Sequence, residues 1–162
     1  MLKGIIFILL MTTVSFCSVI KSVTLVNRGM DRRTQIDLGD RKSYLRIIGE
    51  LLDSKIGYRP SKVIFNVYIV SKDPNIRFKS GDVSVYIYEH DSSAYYKLAI
   101  IGNELNEEPM PINKKSKFRI SARINQKNIS ESGANKKIGL KLPPIIVGGE
   151  ILDFGMIDFE LR

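Results

Sequence analysis

The amino-acid sequence predicts an all-β protein, a single-domain two-sheet β-sandwich of seven to eight short strands. Three observations carry that expectation. Apolar and polar residues alternate over short runs, most cleanly in Lys117-Phe118-Arg119-Ile120-Ser121-Ala122-Arg123-Ile124, which is the period of a strand with one buried and one wet face. Turn-forming Gly, Pro, Asn and Asp separate those runs, as between the strands of a sandwich. No long stretch keeps a convincing helical period, so no helix competes for the core.

The chain of 162 residues begins with Lys3 ahead of the apolar run Gly4 to Met11. A charged start followed by a short apolar run reads as an export signal over residues 1–17, because a membrane-spanning helix needs about 20 apolar residues. Removing it leaves about 145 residues, enough for one core that buries roughly two-thirds of the unfolded surface. Cys17, the only cysteine, ends this segment. Two fates remain open for it. Val14-Ser15-Phe16-Cys17 resembles a bacterial lipobox, whose cysteine is acylated and becomes the new N-terminus, although Phe16 stands where that pattern has a small residue. Alternatively, cleavage falls after Cys17, with Ser15 and Cys17 as the small residues of an ordinary signal site. One cysteine makes no internal disulfide, so the exported domain relies on its core.

Residues 18–42 read as an N-terminal tether with short strands at Ser22 to Val26 and Thr34 to Leu38, and residues 43–162 as the sandwich. The stretch from Arg41 to Lys55 has apolar residues near helical spacing, but Gly49 in its middle and β-branched residues favour a strand over Ser43 to Leu52. Val63 to Val70 is apolar on both faces apart from Asn66, as in a central strand covered on most of its area. Asp73-Pro74-Asn75 turns the chain. In Asp82 to Tyr88, alternation points Val83, Val85 and Ile87 inward and Ser84, Tyr86 and Tyr88 outward. A polar turn through His90 leads to a hairpin partner over Ala94 to Ile101. The loop Asn103 to Lys115 is expected to cross between sheets. After the strand Lys117 to Ile124 come Ile138 to Leu142, a connection bracketed by Pro143-Pro144 and Gly148-Gly149, and a final strand from Ile151 to Leu161.

The net charge is +8, and it is unevenly spread. Lys114 to Lys141 holds nine basic residues against Glu131 alone, whereas Asp82 to Asn113 holds six acids against Lys97. A basic loop and strand, Lys114, Lys115, Lys117, Arg119 and Arg123, therefore stands out as a binding region for phosphate, anionic lipid or an acidic partner, with a merely solvated face as the competing account. Lys136, Lys137 and Lys141 extend it if the next strand pairs with that one. Tyr86 and Tyr88, with Tyr95 and Tyr96, offer an aromatic patch, although tyrosine is also a common strand former.

Chemistry is thinly represented. His90 beside Glu89 and Asp91 lacks the ligand number and spacing of a zinc site. Serine catalysis would have only His90 as base, and neither a G-x-S-x-G elbow nor an S-x-x-K pattern occurs. Glu107-Glu108 are adjacent in a Pro-containing loop, a poor geometry for two carboxylates acting on one substrate. Asn128-Ile129-Ser130 is a glycosylation sequon, relevant in a eukaryotic source. No enzyme activity, cofactor or metal is expected, and no nucleic-acid partner, since an RNA-recognition signature and a helix-turn-helix are both missing.

The lipobox-like segment ending at Cys17, the β-rich body and the segment Phe118 to Ile124 together resemble small bacterial envelope lipoproteins of the pilotin-like β-sandwich type. The closing Gly149-Glu150-Ile151-Leu152-Asp153-Phe154-Gly155-Met156-Ile157 is similar to the last strand of transthyretin-like modules. These resemblances imply an Ig-like or transthyretin-like sandwich, exported to the cell envelope at the outer membrane or in the periplasm. The basic face, in turn, leads to the expectation of a protein partner with an acidic surface. The alternative is a soluble secreted module that binds a polyanionic or host ligand through its basic face.

Overall fold

The structure, a computed structural model, describes residues 20–25, 35–38, 42–54, 61–73, 75–89, 94–124 and 136–160. These residues are all-β, with no helix. In chain order the strands are β1 Ile20–Leu25, β2 Gln35–Asp37, β3 Tyr44–Ser54, β4 Ser61–Val70, β5 Arg77–Phe78, β6 Ser84–Glu89 and β7 Tyr96–Lys97. They continue as β8 Ala99–Asn103, β9 Lys115–Ile124, β10 Lys136–Lys141, β11 Ile145–Val147, β12 Glu150–Leu152 and β13 Met156–Glu160.

The strands form three sheets in which every pairing is antiparallel. The six-stranded sheet runs β1-β3-β4-β9-β8, with β2 also on β3. A four-stranded sheet runs β13-β10-β6-β7 and a three-stranded one β12-β11-β5. The strands are thus more numerous, and the sheets one more, than alternation alone predicted. The two short strands expected in the N-terminal tether are strands of the main sheet: β1 pairs with the second half of β3 and β2 with its first turns of pleat.

The preference for a strand over residues 43–52 is met by β3, in which Gly49 is buried and pairs with Phe65 of β4. β4 is central, with β3 on one side and β9 on the other. Its inward residues Val63, Phe65, Val67 and Ile69 are fully buried. They join Leu45 and Ile47 of β3 and Ile120 and Ala122 of β9 in one core that also takes Val85, Ile138, Leu140, Ile157 and Phe159 from the four-stranded sheet. Phe65 and Phe159 meet across that core with ring centroids 5.1 Å apart. Phe78 of β5 meets Phe118 of β9 edge-on at 5.7 Å. Each such aromatic side chain contributes about 1.5–3 kcal/mol by burial.

Three connections differ from expectation. The hairpin partner of β6 is only Tyr96-Lys97; at Leu98, buried and donating its N–H to the Val85 carbonyl, the chain leaves the four-stranded sheet and becomes β8 of the six-stranded one. The loop 104–114 does not cross between sheets, since β8 and β9 are neighbours. It is shaped instead by Asn103 and Asn106, whose side-chain oxygens accept the N–H groups of Leu105 and Glu108, and by Met110, buried with its N–H on the Ile76 carbonyl. The last apolar run is split into β12 and β13 by a turn in which Asp153 accepts the Gly155 N–H and Gly155 has φ 62°.

Candidate functional site

Because residues paired across an antiparallel sheet share a face, the register of β3, β4 and β9 fixes what the six-stranded sheet shows to solvent. The rows on the side away from the core are Tyr44, Val70 and Lys115; Arg46, Tyr68 and Lys117; Ile48, Asn66 and Arg119; Glu50, Ile64 and Ser121; and Leu52, Lys62 and Arg123, of which Ile64 is nevertheless buried. Six cations therefore share one face: Arg46, Lys62, Lys115, Lys117, Arg119 and Arg123. All but the half-buried Lys62 are exposed. The acids in the same register are Glu50 and, on β2, Asp37. Among the described residues, none of the six cations has an acidic side chain at ion-pairing distance.

One acid comes up to the basic strand from β8. The Glu104 carboxylate accepts the backbone N–H of Arg119 at 2.8 Å, and the Glu104 N–H donates to the Arg119 carbonyl at 3.0 Å. Glu104 thus continues the ladder past the irregular register at Ile100/Gly102. Tyr68 lies in the middle of the face, with the Lys115 ammonium 4.1 Å and the Lys117 ammonium 5.8 Å from its ring centroid. Beside Lys117 a shallow groove of about 290 Å³ runs between the loop and β9, lined by Asn106, Glu108, Pro109, Met110, Pro111, Ser116 and Phe118.

Of the sequence-predicted basic residues, Lys115, Lys117, Arg119 and Arg123 lie together on this face, and Lys114 is exposed in the turn just before β9. That turn is held by Asn113, at φ 58°, which donates its N–H to the Ser71 carbonyl and accepts from the Lys72 ammonium. Lys136, Lys137 and Lys141 do not extend the face by pairing, because β10 pairs with β6 and β13 rather than β9. Arg46, Lys62 and Tyr68 were missed. Their own alternation was readable in the sequence, but only the strand order brings them beside β9.

The tyrosine patch is built differently from expectation. Tyr86 and Tyr88 do share the outward register of β6, and Tyr95 packs on both, at 6.5 Å and 4.7 Å between centroids. Tyr88, however, is only 7 % exposed and is no open contact surface. Gly139 in the neighbouring strand leaves the space it fills together with Met156, and its hydroxyl bonds to the Asp158 carboxylate. Burial first, then the Asp158 bond and charge, push its phenol above the ordinary value. Asp158 Oδ1 is buried without a hydrogen-bond partner. The exposed rings of the group are Tyr95 at 53 % and Tyr96 at 62 %.

Cys17, His90 and the sequon at Asn128 lie outside the described residues. Among the described residues no group of three or more His, Cys, Asp or Glu is placed to hold a metal ion. No protein-family model, curated protein or solved structure matches the chain.

Proposed function

We propose that the chain is a non-enzymatic, exported envelope protein, anchored at a membrane through Cys17, that recognises a protein partner through the outer face of its six-stranded sheet. The observation that carries this reading is the face itself: six cations on adjacent strands, without ion-pair partners among the described residues. A predominantly positive field spread over a sheet speeds encounter with an oppositely charged surface and disfavours wrong partners. The partner's surface is accordingly acidic. The domain that presents the face is read as a sandwich whose leaves are the six- and four-stranded sheets, supported by the Phe65 to Phe159 contact across one core.

Two experiments test the two halves. Cys17→Ala should move the protein from the membrane to the soluble fraction, because one acyl chain holds only marginally whereas several anchor stably. Unmodified mature protein starting at Ser18 would instead favour the soluble, polyanion-binding alternative. Photo-crosslinkers placed at Lys117 and at Lys141 in the producing cell should give adducts to an acidic protein from the first position and not the second. Equal adducts from both faces would remove the reading.

A further inference from the structure

Resting on that reading, we infer that Tyr68, Lys115, Lys117 and Arg46 form a fixed acceptor subsite for a carboxylate-rich extended segment of the partner, so that recognition is anchored at one place on the face. The ring of Tyr68 lies under two ammonium groups, at 4.1 Å and 5.8 Å from its centroid. Arg46 is its register partner on β3, as Lys117 is on β9. Two ammonium groups thus lie over one half-buried aromatic side chain on the central strand, with Arg46 beside it in register on the next strand.

The ring does two things for an incoming anion. It restricts lysine side chains that would otherwise lose much rotamer freedom on binding. It also leaves the N–H donors of both ammonium groups free to turn outward, since attraction to a ring face uses no lone-pair acceptor. Like charges held this close repel one another, and carboxylates placed between them relieve the repulsion. Of the nearby acids, Glu104 is bonded to the Arg119 backbone, Asp37 and Glu50 occupy other rows, and Glu108 lines the groove beside Lys117 rather than the Tyr68 row. Arg119 and Arg123, farther along β9, have no such ring among the described residues and supply general attraction.

Hexaglutamate is the probe, titrated into the isotopically labelled full-length chain at low salt, with hexaglutamine as control. Lys115→Gln/Lys117→Gln should weaken hexaglutamate binding about ten-fold, whereas Lys137→Gln/Lys141→Gln, with the same change of net charge, should weaken it less than about two-fold. Tyr68→Leu, which changes no charge, should weaken it about three-fold and Tyr68→Phe should restore most of the loss. If the two lysine pairs matter equally while Arg119→Asp/Arg123→Asp abolishes binding, the subsite is overturned and the basic face stands. If no variant on the face differs from its control, both the subsite and the proposed function fall. Should Tyr68→Leu not fold, the lysine pairs decide alone.

Discussion

Ile120 and Arg119 are neighbours in β9 with opposite fates: the first is fully buried in the core and the second is exposed. An aspartate at Ile120 would bury an unpaired charge, and one at Arg119 would not. Ile120→Asp should therefore abolish the cooperative melting transition, whereas Arg119→Asp, at some cost from its proximity to Glu104, should keep it; equal behaviour would mean the register is wrong. Tyr88 gives a second test. Its phenol binds its proton more tightly when folded than when unfolded, because of burial and Asp158. The folded state then holds more protons above the ordinary tyrosine range, so stability from this group is complete below about pH 10 and is lost as pH rises beyond it. Tyr88→Phe should cost about 1 kcal/mol at neutral pH through the lost hydrogen bond. That difference should shrink in denaturant titrations repeated toward pH 11. A constant difference would contradict the assignment. Strict alternation made Tyr88 outward, and the reason it is nevertheless buried was visible only as Gly139 interrupting Ile138 and Leu140.

At the scale of elements, strands with a strong period were legible and short ones were not. β4 and β9 carry ten residues each, and the two-faced apolarity of one and the alternation of the other follow from their central and half-exposed positions. β5 and β11, with two and three residues, are too short to show a period; their pairing comes from packing, with Phe78 and Ile145 in register and buried. Gly148-Gly149, expected with Pro143-Pro144 to bracket a connection, is the turn of a tight hairpin, since Val147 pairs with Glu150 and both glycines have positive φ, 58° and 89°. Two left-handed residues match the twist of paired strands, which is why glycine suits both places. Gly148→Ala/Gly149→Ala should lower unfolding free energy by about 1–2 kcal/mol for each residue forced into that region. Urea denaturation reads the loss, and an unchanged midpoint would show the turn to be relaxed.

At the scale of the molecule, the core and the basic face are two sides of the same sheet. The alternation that buries Phe118, Ile120, Ala122 and Ile124 necessarily turns Lys117, Arg119 and Arg123 to solvent. That half of the candidate site was therefore readable from one strand. The other half, Arg46, Lys62 and Tyr68, depends on β3-β4-β9 adjacency, a long-range property that local pattern does not encode. The most direct test of the account is the rate at which the full-length chain associates with its crosslinked acidic partner, measured for wild type and Arg119→Asp/Arg123→Asp across a salt series. Screening lengths fall from about 30 Å at 0.01 M to about 3 Å at 1 M salt. The account predicts that charge reversal slows association about ten-fold or more at low salt, with the two rates converging at high salt and the melting transition unchanged. Equal association rates at low salt would contradict it.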